Sequence, residues 1–351
     1  MKRLDCWPLR RLVVRLCGQG PRSIGSVLDA APPVVSEPGG VFRAPAPGLS
    51  VTPDLPGDVA DWPHVTQAAP AVALHVLGEA ALYDDDGAIY DLRTRRAFVE
   101  TLHHWSAPPH RHPALALPFV KPARRLEGLS LFMGGLGGQT FYHFLIDHLP
   151  RLSLLSRLYP EARRIIVQDY IADNKTAWLR HAGCDLPVEW LRPLDHLHCE
   201  RLAFTTHPNH LYAASPWSLA SLLRLSGAGA ARPSRSRHIW ASRLGTAARA
   251  TPWEQDLICL LPPPWEVVDF GALSPAETIE TMAGCTALAG LHGAAFANIA
   301  LAPAGLRVLE VFSAPNHAWY PTISTLTGHK HRVLFAASSE PVLAALSSLS
   351  P

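Results

Sequence analysis

The chain has 351 residues, 48% of them hydrophobic and 17% charged, a balance that excludes a disordered protein and leaves room for two domains of ordinary size. A formal net charge of +2 excludes recruitment of nucleic acid or another polyanion by a global field, so any anionic ligand must be held by local donors.

In chain order, Leu9, Leu12, Val13 and Leu16 recur at helical spacing with Arg10, Arg11 and Arg15 between them. The pattern suits an amphipathic segment docked on the body, and is also compatible with peripheral contact at a membrane surface. No continuous apolar leader is visible, so a cytoplasmic location is expected, with the inner membrane face as the alternative. Residues 29–58 are rich in Pro and Gly, show neither helical nor strand periodicity, and read as an extended lead-in. Short strand-like runs follow: "AVALHVL", "AIYDL" and "LSLFMG", with "DDDG" as a turn. A helix is expected within 134–152, then a buried strand at "RRIIVQD", a helix over "KTAWLRHAGC" ending at Gly183, and short strands near 188–206.

Residues 224–237, "RLSGAGAARPSRSR", are small and polar and read as a linker. Beyond them the strands "HIWAS", "WEVVDF", "TALAGL" and "RVLEVF" alternate with helices, which implies a parallel sheet. Ser274, Pro275 and Glu277 form the signature of a capped helix start. Residues 286–306 are almost uncharged, but His292, Asn298 and Pro303 interrupt them, so a buried strand–turn–helix is expected and no transmembrane helix. The tail "SSEPVLAALSSLS" suits a final helix, and no internal repeat is visible.

Two stretches carry chemistry. In "GGLGGQTFYHFLIDHLPRL", residues 134–152, His143, Asp147 and Arg151 recur every four residues on an otherwise apolar helix that follows four glycines. That spacing puts an imidazole, a carboxylate and a guanidinium on one helical face, with a kink expected at Pro150. Either His143 or Asp147 can serve as a base, and a carboxylate orienting an imidazole is a chemically sensible pair. In "GLHGAAFANIALAPAGLRVLEVF", residues 290–312, a strand ends at Leu291 and a turn through His292, Gly293 and Ala294 opens a helix. Free N–H groups there favour a phosphate, and Glu310 on the next strand suits ribose hydroxyls. Small residues at 293–295 also serve tight helix–sheet packing alone.

The histidines at 103, 104, 110, 112, 207 and 210 lack the spacing of a metal site, no CxxC occurs, and no DxD stands out as a dedicated carboxylate site, since "DDD" at 84–86 precedes Gly87 and reads as a turn. The six cysteines are scattered, as isolated thiols are.

Together the two stretches resemble glycosyltransferase family 61. Its aromatic-His-aromatic-x-x-Asp-x-x-Pro-Arg helix is matched by Tyr142, His143, Phe144, Asp147, Pro150 and Arg151. Its His-Gly-Ala turn and following strand are matched by His292, Gly293, Ala294, Asn298 and Glu310. The family's Arg-rich stretch is met in part by Arg243, Arg249 and Glu254. Ala295 stands where a second glycine is usual, and Trp253 where Asn is usual.

The resemblance implies an α/β, GT-B-like fold of two Rossmann-like domains facing across a cleft. Residues 1–60 would be a Pro/Gly-rich extension, 61–228 the acceptor-side domain, 235–335 the nucleotide-sugar domain and 336–351 a C-terminal helix. It implies inverting transfer, by a hexosyl- or pentosyltransferase, from a nucleotide sugar, a UDP-sugar first among them, to a glycan or lipid-linked glycan in capsular or exopolysaccharide biosynthesis. His143 and Asp147 would be catalytic. Arg151, Arg243, Arg249, Glu254, His292, Gly293, Ala294, Asn298 and Glu310 would bind substrate or donor. No cofactor is required, and a divalent cation with the nucleotide is compatible with the fold. The departures at Ala295 and Trp253 support an alternative, a non-catalytic glycan- or nucleotide-binding protein on the same scaffold.

Overall fold

The computed structural model describes residues 21, 23–105, 108–115, 123–210, 213–231, 235–245 and 251–349. The amphipathic stretch at Leu9–Leu16 and the candidate Arg249 lie outside them. By contacts the chain forms two compact units, residues 1–38 with 71–208, and residues 39–70 with 209–351. No helix among the described residues is long and apolar enough to cross a membrane.

The first unit is built on a nine-stranded mixed sheet. Its parallel part runs His196–Thr205, Arg124–Phe132, Ala162–Gln168, Val188–Leu191 from neighbour to neighbour. Ile165, Ile166 and Val167 are wholly buried, as expected of a strand covered on both faces. The long strand Val72–Tyr83 joins antiparallel to His196–Thr205 and carries the hairpin Ala88–Asp91 on its other side. The expected helix at Ala172–His181 forms, and the chain leaves it through Gly183 at φ +78°.

The second unit holds a five-stranded, all-parallel sheet, ordered Trp265–Val268, Arg237–Ala241, Cys285–Leu291, Arg307–Phe312, Lys330–Phe335. Numbered within the unit, that order is 2-1-3-4-5, a doubly wound sheet whose winding reverses between Arg237–Ala241 and Cys285–Leu291. The helix Pro275–Gly284 starts with the expected capping box: Ser274 Oγ accepts from the Glu277 amide, and the Glu277 carboxylate accepts from the Ser274 amide. Trp240, Ala289, Leu309 and Val311 fill the core against Val342 and Leu346 of the last helix, Ser339–Ser348.

Two segments differ from their expected form. The Pro-rich stretch 29–58 contributes strands: Val35–Glu37 pairs with Val72–Leu74, Val41–Pro45 with His64–Ala68, and Ser50–Val51 with Asn316–His317. Val51, Val59 and Trp62 pack with Phe312, Ala318 and Val333, which supplies the burial that holds this segment in place. The expected linker 224–237 includes the end of a helix, Pro216–Ser226, and a short turn, Ala228–Ala230, and its last residue opens the strand Arg237–Ala241. That helix is capped by Ser215 and stopped by Gly227 at φ +68°, a left-handed position glycine adopts without steric cost.

Candidate functional site

In the first unit, the stretch following the glycines winds unevenly. A single α-helical turn at Phe141–His143 widens into a π-helical turn at Phe144–His148, then tightens at Leu149–Arg151. The Leu149 amide donates five residues back, to the Phe144 carbonyl. Pro150 has no N–H to donate, and the wider turn ahead of it accommodates that loss by a change of winding.

The uneven helix still brings His143 and Asp147 together. His143 Nδ1 lies 2.5 Å from Asp147 Oδ2, with the two residues 8% and 5% exposed. A carboxylate only accepts, so Nδ1 carries the proton of this bond. The imidazole packs 5.1 Å from the Trp105 ring. Beneath it lies Gly137 at φ +76°, where a Cβ would stand 2.3 Å from the ring's Cδ2.

The glycine-rich turn is shaped for that ring, with its carbonyls turned inward. Gly134 O accepts from Arg151 Nη1 at 2.6 Å, Gly135 O from the Gln168 amide, and Gly138 O from Lys175 Nζ at 2.7 Å. Arg151 also donates from Nε to the Asp147 carbonyl at 3.0 Å, so it ties the base-bearing turn to the glycine turn. Burial lowers its pKa to about 10, partly offset by Asp147, and it remains a cation at neutral pH. Burial likewise brings Lys175 down to about 8. The adjacent His148 is fully buried, held well below the usual imidazole range first by burial and then by Arg151, so it is neutral.

In the second unit, the site residues meet at the reversal point of the sheet, at the carboxyl ends of the strands, the position at which open α/β sheets generally bind ligands. Arg243 follows the strand ending at Ala241, and His292 follows the one ending at Leu291. Arg243 Nη1 donates to the His292 carbonyl at 3.0 Å. The guanidinium passes directly over Gly293, where a Cβ would meet Nη1 at 1.4 Å. Gly293 therefore serves the close approach of Arg243 in this structure. Its φ of 172° is ordinary extended backbone.

Glu254 is buried and accepts from Trp240 Nε1 at 3.1 Å and from the Arg243 amide at 2.9 Å, so it fixes the loop that carries Arg243. Ala294 opens a tight 3-10 helix, Ala294–Leu301, within which Asn298 Nδ2 donates to the Ala295 carbonyl.

The sequence reading gave Glu310 to ribose hydroxyls. The structure gives both of its oxygens to imidazoles. Glu310 is 0% exposed, with Oε1 at 2.5 Å from His292 Nδ1 and Oε2 at 3.1 Å from His331 Nε2. His331 Nδ1 in turn accepts from Ser324 Oγ at 2.8 Å. Burial pushes the Glu310 carboxyl up, but His292 and His331 more than offset it, and the group sits below the usual carboxylate range. His292 is thereby fixed with its proton on Nδ1, stacked 4.6 Å from Phe312 and flanked by Tyr320 at 5.5 Å.

Sequence reasoning missed Trp105, Ser324, His331, Phe312 and Tyr320. Only Phe312 carried a local signal, as the end of the strand that holds Glu310. His331 becomes legible once Lys330–Phe335 is recognised as the strand beside Glu310. His103 and His207 do meet, rings 5.3 Å apart, but no His/Cys/Asp/Glu group among the described residues is arranged to hold a metal.

The family model described as Glycosyltransferase 61 matches residues 141–309, starting two residues before His143 and running through the His292–Asn298 turn. No curated protein matches the chain.

Proposed function

The chain belongs to glycosyltransferase family 61 and is a glycosyltransferase; from that premise we propose that it transfers a hexose or pentose, with inversion, from a nucleotide sugar to a glycan acceptor, as in capsular or exopolysaccharide assembly. The observation that carries this reading is the buried His143–Asp147 pair, in which the carboxylate accepts from Nδ1 and so orients the imidazole to act as a base through Nε2. An acceptor hydroxyl gives its proton to that nitrogen as its oxygen bonds to the anomeric carbon, and the bond from that carbon to the diphosphate breaks. General-base assistance of this kind contributes about 10²–10⁴ in rate. Asp147 holds the ring orientation and meets the charge of the imidazolium.

The departing diphosphate needs fixed cationic or N–H donors. Arg243 and the turn at Gly293 and Ala294, gathered at the reversal point of the sheet, are the group we assign to it. A UDP-sugar is the donor we place first. A lipid-linked glycan as acceptor and a GT-B-like pairing of the two α/β units belong to the same proposal, and the parallel strands in each unit support the latter.

The test begins with thermal-shift measurements against UDP, GDP, CMP and dTDP and their sugars. One nucleotide should stabilise the protein, and Arg243→Ala should abolish that shift. Nucleotide release with a glycan acceptor should then vanish in Asp147→Asn while the shift survives. A folded protein that responds to none of the nucleotides overturns the donor-site assignment and favours a glycan-binding role.

A further inference from the structure

The amino-terminal end of the second unit's sheet, opposite to the His292 end, holds a pocket of ≈ 780 Å³. Among the described residues its wall carries Arg43, Arg307, Lys330 and Arg332 against a single carboxylate, Asp58. Arg307 and Lys330 are the first residues of adjacent parallel strands, so the register itself places these two cations side by side. Among the described residues none of the four cations forms an ion pair. Arg307 also makes 3.4 Å contacts to the Thr286 carbonyl and His238 Nε2, so four cations without an ion-pair partner share one wall and repel one another, and a bound anion relieves that repulsion.

The floor is built of buried polar side chains. Ser324 and His331 line it and belong to the hydrogen-bonded chain that ends at Glu310 and His292. His329, 9% exposed, donates from Nε2 to the Ile299 carbonyl at 2.9 Å. That bond leaves its Nδ1 buried with no hydrogen-bond partner among the described residues, an acceptor that a phosphate O–H satisfies. The volume is that of a small-molecule site and exceeds what a single inorganic ion fills.

We infer that this pocket binds a small compound carrying two or more phosphate charges, at a place separate from the donor site. The cations grip the charged oxygens, and His329 and Ser324 set the depth of entry. The inference stands apart from the donor-site reading, because Arg243 is no part of the pocket wall.

Pyrophosphate is the probe, titrated into the full chain by calorimetry at constant ionic strength. The Arg307→Gln/Lys330→Gln pair should weaken its binding at least tenfold, while Arg243→Ala leaves it within twofold. The same pair should leave any UDP-induced thermal shift unchanged. An unaltered melting midpoint without ligand shows that the pair still folds. No pyrophosphate binding to the unsubstituted protein overturns the inference, as does binding that is lost in Arg243→Ala and kept in the pocket pair. Cosedimentation with phosphatidate vesicles, absent with phosphatidylcholine and abolished by the pocket pair, assigns the phosphates to a lipid headgroup. Its absence assigns them to a soluble compound.

Discussion

Gly293→Ala discriminates between two reasons for the glycine. The added Cβ would stand 1.4 Å from Arg243 Nη1 and 2.7 Å from its Cζ, so the guanidinium must move and its 3.0 Å bond to the His292 carbonyl breaks. A hydrogen bond from a charged donor is worth about 1.5–3 kcal/mol. The backbone is extended, so the substitution adds no conformational strain of its own. If Arg243 serves the donor, nucleotide affinity should fall roughly 10- to 150-fold, the equivalent of that energy. Calorimetry with the stabilising nucleotide reads the change in a double-mutant cycle. In an Arg243→Ala background the clash is gone, and Gly293→Ala should cost less than about 0.5 kcal/mol. An equal loss in both backgrounds would refute the reasoning. It would mean that the glycine makes room for the ligand itself.

Asp147→Asn keeps the shape of the side chain and removes its charge. It should cut transfer by about 10²–10⁴ with nucleotide binding intact, read by nucleotide release under saturating donor. Glu310→Ala strands two imidazoles in the core and should destabilise the second unit by about 3–5 kcal/mol, measured by denaturant unfolding. Because the folded Glu310 carboxyl is depressed, its stabilisation is complete above the ordinary carboxylate pKa and is lost as pH falls through the lower, folded value. The unfolding midpoint of the unsubstituted protein should therefore fall more steeply below about pH 4 than that of Glu310→Ala. Ser274→Ala removes one half of the capping box and should cost about 1 kcal/mol, or about 2–4 °C in the melting midpoint, without touching nucleotide affinity.

What the sequence revealed was local. The capping box at Ser274, the buried strand at 285–291 and the four-residue spacing of His143 and Asp147 all express their structure within a few residues. What it hid depends on partners far along the chain. Val41–Pro45 shows no strand periodicity, yet it pairs with His64–Ala68, and the neighbouring Ser50–Val51 finds Asn316–His317. Glu310 looked available for a ligand because nothing nearby in sequence announces His331, which the sheet order alone brings alongside. The sequence assigned no role to the four glycines before the helix. The direction of the Gly134, Gly135 and Gly138 carbonyls, toward Arg151, Gln168 and Lys175, gives them one in packing.

The excursion of residues 39–70 into the second unit also sets an order of events at the ribosome. The hairpin of Val41–Pro45 with His64–Ala68 can close as soon as it emerges, but Leu49, Val51 and Gly57 await Ala318, Asn316 and Val333. At about 5–20 residues per second, the intervening synthesis lasts on the order of ten seconds or more. Throughout that interval Val51 and Trp62 have no core to enter. A nascent chain in that state offers an apolar hairpin to chaperones, and a proteolytic cut near residue 38 or 70 after folding leaves the hairpin held by the unit it joined. Severing the chain at 208 to isolate the later half would leave Phe312, Ala318 and Val333 uncovered, and aggregation of that fragment is the expected result.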